Sequence, residues 1–191
     1  MSVLKIVVGS TRPGRIGPHI ARWFTDAARR HGGFDTVEVL DLADFDLPLL
    51  DEPHHPRLRT YTKPHTLRWS EAVDGADALV FVSPEYNYSL PASLKNAMDF
   101  LVQEWAYKPL GLVTYGGASG GMRAAQAIRQ VAAVLRMVPV PDAVALPLVF
   151  RQLVDGEFVP EQVNEDAART MLDELAKLAV ALAPLRERAA V

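Results

Sequence analysis

The sequence predicts an α/β fold in which helices cover both faces of a five-stranded parallel sheet. Short apolar runs alternate along the chain with segments of helical period, which is the pattern of repeated strand–helix units. The run at residues 3–8 is apolar except for Lys5, as expected of a strand buried on both faces. With 191 residues, of which 49% are apolar, the chain can bury one large core, and we expect a single domain over residues 1–191.

The boundaries of the elements come from apolar runs, from apolar residues at helical spacing, and from Gly and Pro at the ends. Gly32-Gly33 ends the first helix, and Pro91 begins the helix after the third strand, where its missing N–H is harmless. The predicted strands are residues 3–8, 36–40, 78–82, 110–114 and 140–146. The predicted helices are residues 16–31, 66–73, 91–101, 124–135 and 171–182, and residues 43–64 are expected to form a long loop.

This alternation fits a doubly wound sheet of the flavodoxin type, with strand order 2-1-3-4-5 and right-handed crossovers. In such sheets ligands bind at the carboxyl ends of the strands, near the point where strands one and three diverge. The loops after strands one, three and four are therefore interpreted together.

Composition excludes several classes of function. The net charge of −3 provides no concentrated basic face for nucleic acid. The chain has no cysteine, which excludes disulfides, thiolate metal sites and a cysteine nucleophile. No apolar stretch approaches the roughly 20 residues that cross a bilayer, and the N-terminal run is interpreted as a strand rather than a signal peptide. We expect a cytoplasmic protein that acts on neither nucleic acid nor membranes.

The loop after strand one, residues 9–17, has the composition of an anion site. Its glycines allow backbone N–H groups to point inward, and the following helix adds its N-terminal dipole. Ser10 and Arg12 add a hydroxyl and a charged donor. Arg15 and Ile16 stand where a P-loop needs Lys and Ser or Thr, and the dinucleotide fingerprint is absent. The loop therefore predicts a monophosphate site.

The loops after strands three and four suit a flat ring. Residues 83–91 hold two tyrosines between two prolines; such a rigid loop either binds a heteroaromatic ligand through its aromatic faces and polar groups, or is a structural turn whose tyrosines pack against the next helix. Residues 117–121 match the Gly-x-Ser-x-Gly elbow of α/β hydrolases, but all five histidines precede Ser119, and that fold requires the catalytic histidine after the serine. The glycines are better explained by close approach of the backbone to a planar ligand.

Three motifs together resemble the NADPH-dependent FMN reductase family, which includes chromate, quinone and azo-dye reductases. They are Gly-Ser-Thr-Arg-Pro-Gly-Arg at 9–15, Pro-Glu-Tyr-Asn-Tyr-Ser-Leu-Pro at 84–91, and Gly-Gly-Ala-Ser-Gly-Gly at 116–121. The resemblance implies that three side chains hold the FMN phosphate, namely Ser10, Arg12 and Arg15. It implies that the isoalloxazine ring contacts Pro84, Glu85, Tyr86 and Asn87 on one side, and Gly116, Gly117 and Ser119 on the other. Many members have a hydroxyl near Arg15, so this arginine either replaces it or faces the nicotinamide nucleotide.

The function implied by the resemblance is an FMN-dependent NAD(P)H oxidoreductase. Two electrons would pass from NADPH or NADH through FMN to a small acceptor, such as a quinone, an azo compound, free flavin or a metal oxyanion, in a ping-pong cycle. The flavin carries this chemistry, so we expect no catalytic side chain and no metal; His54 and His55 are adjacent in a Pro-rich loop and rarely converge on one ion. The resemblance also implies a homodimer or homotetramer. The alternative is a flavodoxin-like electron carrier, or an FMN-binding regulatory module without turnover.

Overall fold

The computed structural model describes residues 1–189 and confirms the predicted sheet. Its strands run parallel in the order β2-β1-β3-β4-β5, with a further strand, β6, also paired to β4. The four long strands are β1 (Val3–Val8), β2 (Thr36–Asp41), β3 (Ala78–Pro84) and β4 (Pro109–Tyr115). Every residue of β3 and β4 is buried, in keeping with their continuous apolar sequences.

The fifth position in the sheet is shared by two short strands. β5 (Val138–Pro139) pairs with the start of β4, and β6 (Val144–Leu146) pairs with its end. The single strand predicted at 140–146 is therefore wrong in its bounds. Pro141 lies in the gap between the two strands, and a proline cannot donate the backbone hydrogen bond that a continuous strand requires.

Helices cover both faces of the sheet, as predicted. The helices are α1 (Gly17–His31), α2 (Leu42–Phe45), α3 (Pro64–Asp74), α4 (Ala92–Asp99), α5 (Met122–Val134) and α6 (Gln162–Ala189). Apolar residues of α1 and α6 fill the core on one face, and those of α3, α4 and α5 fill the core on the other. No helix within residues 1–189 is both long and apolar enough to cross a membrane.

Several elements were not predicted because they are too short to show a periodic spacing of apolar residues. They include the single turn α2, a 3-10 turn at Pro56–Leu58, and an antiparallel hairpin of β7 (Leu153–Val154) and β8 (Glu157–Phe158). The last helix also begins at Gln162, well before the apolar stripe that predicted it. Residues 43–64 are otherwise irregular, as expected.

The three predicted ligand loops leave the same edge of the sheet. Val8 pairs with Val82, and Pro84 pairs with Tyr115, so β1, β3 and β4 end side by side. The pairing continues one step into the loops, because the Glu85 backbone N–H donates to the Tyr115 carbonyl at 2.9 Å. The sheet thereby fixes where each loop begins.

Candidate functional site

The loop after β1 starts with residues held tightly against β3 and α4. The Gly9 backbone N–H donates to the Val82 carbonyl at 2.9 Å, and a Cβ on Gly9 would lie 3.3 Å from that oxygen and 3.2 Å from Leu94. Ser10 is fully buried, and its Oγ lies 2.9 Å from the Tyr86 hydroxyl. The predicted phosphate residue Ser10 and the predicted ring residue Tyr86 are therefore in direct contact.

The start of α1 presents free backbone donors. The N-cap Ile16 has no side chain that caps the helix. Among residues 1–189, no acceptor is found for the backbone N–H groups of Thr11, Gly14, Ile16 and Gly17. A cluster of unpaired amides at the positive end of a helix is a binding site for an anion. The phosphate predicted from the sequence fits this cluster.

The two arginines of this loop have different surroundings. Arg15 makes a bidentate pair with Asp41, at 2.6 and 2.8 Å, and its Nη1 also donates to the Ser10 carbonyl at 2.6 Å. It thus ties the loop to the end of β2. Arg12 is exposed, and its guanidinium makes no ion pair within residues 1–189. Arg12 is the arginine with its charge available to a ligand.

Tyr115, at the end of β4, is a candidate site residue that the sequence did not predict. Its ring is buried, and its hydroxyl has no hydrogen-bond partner within the described residues. That oxygen lies 2.9 Å from the position that a Cβ on Gly17 would occupy, at the start of α1. Burial raises the pKa of Tyr115 well above its ordinary value, so the hydroxyl remains a neutral donor. The sequence signal for this role is that Tyr115 directly precedes the glycine-rich motif at 116–121.

The loop after β3 forms a tight hairpin turn. Tyr86 and Ser89 exchange two backbone hydrogen bonds of 3.0 Å, and the residues between them have left-handed backbones, with φ of +47° at Asn87 and +71° at Tyr88. Two consecutive positive φ angles define a type I′ turn, which usually contains glycine or asparagine. A tyrosine held in this conformation is strained, and such strain is concentrated at functional sites. Tyr86 is 36% exposed and Tyr88 is 71% exposed.

The glycines of the loop after β4 serve two purposes. Gly120 and Gly121 have φ of +61° and +84°, and a Cβ on Gly121 would lie 2.7 Å from Thr114 Cβ, so the turn itself requires them. A Cβ on Gly117 would meet nothing within 4 Å. Gly116 lies against Glu85, with an ordinary 3.5 Å contact. Of these glycines, Gly117 is the one beside open space that a ligand could occupy.

Polar side chains of α4 hold the surrounding loops in place. Ser93 Oγ donates to the Gly9 carbonyl at 2.6 Å. Asn96 accepts from the Leu50 backbone N–H at 3.0 Å and donates to the Pro48 carbonyl at 2.6 Å. These contacts fix part of the 43–64 segment beside the loop after β1, so the polar side chains of α4 have a structural role.

His55 and the acidic residues before it in the 43–64 segment make structural contacts. His55 Nδ1 accepts from the Arg57 backbone N–H, and Asp51 pairs with His65 at 2.9 Å. Glu52 accepts from the backbones of Thr62 and Lys63. Within residues 1–189, no group of three or more His, Asp or Glu side chains is arranged to hold a metal ion.

The fold is that of a flavodoxin-like protein, and the candidate mononucleotide site lies at the carboxyl edge of its sheet. The fold is shared with FerB, a flavoenzyme NAD(P)H:(acceptor) oxidoreductase from Paracoccus denitrificans. That structure has a TM-score of 0.73 and 19% identity, and the match covers 95% of this chain and 98% of FerB. An archaeal flavodoxin has a TM-score of 0.61 and 14% identity, over 93% of this chain and 99% of that protein.

The sequence identifies the family. The profile of NADPH-dependent FMN reductases matches residues 1–150. An NAD(P)H-dependent FMN reductase of Schizosaccharomyces pombe is 42% identical over 157 residues, which are 81% of this chain and 78% of that protein. A quinone reductase of Pseudomonas putida is 33% identical over 147 residues, 72% of this chain and 74% of that protein. The chain belongs to the NADPH-dependent FMN reductase family and is an FMN-dependent NAD(P)H oxidoreductase.

Proposed function

We propose that this protein passes two electrons from NADPH or NADH to a small acceptor in a ping-pong cycle. Bound FMN supplies the redox chemistry, because it takes hydride from a nicotinamide and returns two electrons to an acceptor. The protein binds and orients the flavin, and no side-chain acid, base, nucleophile or metal is assigned. The observation that carries the proposal is the set of donors at the start of α1: within residues 1–189 four backbone amides lack acceptors, and the buried Tyr115 hydroxyl, also without a partner, lies beside Gly17.

The chain's residues divide into a phosphate group and a ring group. For the phosphate we assign the free amides, the Ser10 hydroxyl and the Arg12 guanidinium, and we add the Tyr115 hydroxyl. Arg15 is assigned to positioning, since Asp41 and the Ser10 carbonyl engage both of its terminal nitrogens. For the ring we assign Pro84, Glu85, Tyr86 and Asn87 on one side, and Gly116, Gly117 and Ser119 on the other.

Quinones are the acceptors that we favour, because relatives of this chain include quinone reductases. Azo compounds, free flavin and metal oxyanions belong to the same proposal, since each is small enough to reach an exposed ring. We further propose one functional domain over residues 1–191, a homodimer or homotetramer, a cytoplasmic location, and no role for nucleic acid. Sedimentation velocity of the purified protein tests the oligomeric state.

The proposal is tested by adding FMN to the purified apoprotein and then measuring oxidation of NADPH and NADH with and without a benzoquinone. We expect quenching of FMN fluorescence, and quinone-dependent loss of absorbance at 340 nm. An electron carrier or regulatory module would bind FMN but oxidise neither nucleotide in the presence of the quinone. Protein that does not quench FMN fluorescence would overturn the FMN site itself.

A further inference from the structure

One ion pair connects the two loops assigned to the flavin ring. Glu85, directly after β3, accepts two hydrogen bonds from Arg123 near the start of α5. The Arg123 backbone N–H lies 2.9 Å from Oε2, and its Nη1 lies 2.7 Å from Oε1. One carboxylate therefore joins the loop after β3 to the helix that follows the loop after β4.

The pair buries a charge beside the proposed ring site. The Glu85 side chain is only 9% exposed, and Arg123 is its sole ion-pair partner within residues 1–189. Burial by itself would raise the pKa of Glu85, but the hydrogen bonds from Arg123, together with one from Ser119, outweigh it and hold that pKa below its usual value. Glu85 is therefore ionised at neutral pH, and the Arg123 guanidinium compensates its negative charge.

Arg123 also supports the strained turn. Its guanidinium carbon lies 3.9 Å from the centre of the Tyr88 ring, which is the distance of a cation–π contact. Tyr88 has a left-handed backbone and is otherwise largely exposed. Arg123, a residue of α5, thus contacts both Glu85 and Tyr88 of the loop after β3.

We propose that Arg123 compensates the charge of Glu85 beside the flavin ring, so that the pair leaves the redox potential of bound FMN nearly unshifted although either group alone would shift it. This inference rests on the proposed function, because it places Glu85 at the flavin. Reduction adds negative charge to a flavin at neutral pH, and charges near the ring tune its potential. An isolated carboxylate at that position would disfavour reduction, and an isolated guanidinium would favour it. The paired groups nearly cancel.

The test uses the ratio of the dissociation constants of oxidised and reduced FMN, which follows the potential of the bound flavin. Arg123→Gln leaves the carboxylate unpaired, and we expect it to weaken binding of reduced FMN relative to oxidised FMN by about tenfold. Glu85→Gln leaves the guanidinium unpaired and should change the ratio in the opposite direction. The double variant should return close to the wild-type ratio, and Arg123→Lys should restore most of it.

Two controls separate charge from structure. Asp166→Asn removes one partner of the exposed Asp166–Arg169 pair on α6, which has the same 2.7 Å separation, and should leave the ratio unchanged. Unfolding of each apoprotein by urea shows whether a variant has lost its fold. Single variants that shift the ratio in the same direction, or do not shift it while FMN remains bound, overturn the role in tuning. Wild-type protein that fails to bind FMN overturns the proposed function instead.

Discussion

A buried hydroxyl without a partner is the residue-scale feature that points most directly to a ligand. Burying a polar group without a hydrogen bond costs free energy, and five buried side-chain polar atoms within residues 1–189 lack a partner. The Tyr115 hydroxyl is the one of these atoms that lies beside Gly17, where α1 begins. An acceptor supplied by FMN would satisfy the Tyr115 hydroxyl, and a phosphate oxygen is the acceptor that the neighbouring amides would attract.

Tyr115→Phe should weaken FMN binding without weakening the apoprotein. The lost hydrogen bond to a charged phosphate corresponds to about 1.5–3 kcal/mol of binding free energy. The free energy of unfolding of the apoprotein should stay constant or rise, because no protein partner loses a hydrogen bond. Fluorescence titration with FMN and urea unfolding without FMN measure the two quantities.

Tyr61→Phe is the matched control for that substitution. The Tyr61 hydroxyl donates to the buried Glu104 carboxylate at 2.8 Å, so its removal should destabilise the apoprotein and leave FMN affinity unchanged. If Tyr115→Phe behaves like Tyr61→Phe, the Tyr115 hydroxyl has a structural role and the phosphate assignment is wrong.

At the scale of elements, the loop after β4 contains one glycine that the turn requires and another that lies beside open space. Gly121→Ala should lower the free energy of unfolding by roughly 2–4 kcal/mol, because a left-handed backbone and a crowded Cβ both oppose alanine. Gly117→Ala should change it by less than about 0.5 kcal/mol, since its Cβ enters open space. Gly117→Ala should nevertheless reduce FMN affinity. Urea unfolding and FMN titration of both variants check this, and full FMN affinity in Gly117→Ala would place the ring elsewhere.

The sequence predicted the elements that are long and periodic, and the loops that punctuate them. The strand order, the helices on both faces and the grouping of three loops at one edge all follow from alternating apolar patterns. The break at Pro141 and the short turn α2 were missed because neither spans a full period. The Arg15–Asp41 pair and the free Tyr115 hydroxyl were missed for another reason: both depend on contacts between distant segments, which spacing along the chain does not record.

At the scale of the whole molecule, the carboxyl ends and the amino ends of the parallel strands carry different polar groups. The carboxyl edge holds the candidate flavin site. The amino edge holds a cavity of about 430 Å³ lined by charged side chains that bind the chain together. There Lys108 is buried and donates to the carbonyls of Val73 and Asp74 at 2.6 and 2.8 Å, and Arg186 pairs with Asp77. The candidate flavin site and these buried charged contacts thus lie at opposite ends of the strands.

Lys108 should give the stability of this protein a dependence on alkaline pH. Burial lowers the pKa of Lys108 from 10.5 to about 8. Between these values the unfolded chain binds more protons than the folded one, so the free energy of unfolding should rise from pH 8 towards pH 10. The full shift corresponds to at most about 3 kcal/mol.

The measurement is urea unfolding at several pH values between 7 and 10. Lys108→Met should be less stable at every pH in this range, because two carbonyls lose their donor. Its free energy of unfolding should also show little of the expected rise with pH. Lys177→Met, at an exposed lysine on α6, should keep the wild-type slope. Equal slopes in wild-type protein and Lys108→Met would show that other groups control the alkaline behaviour.

The candidate site combines segments that are far apart in the sequence, and this affects when the cofactor can bind during synthesis in the cell. Ribosomes release a chain from its N-terminus, but the proposed phosphate loop near residue 10 has Tyr115 beside it, and α6, which covers the core over α1, is synthesised later still. A nascent chain that has just exposed its phosphate loop therefore lacks most of the site. We expect flavin loading to wait until α6 has been synthesised, so that the coloured holoprotein marks chains that have folded as far as α6.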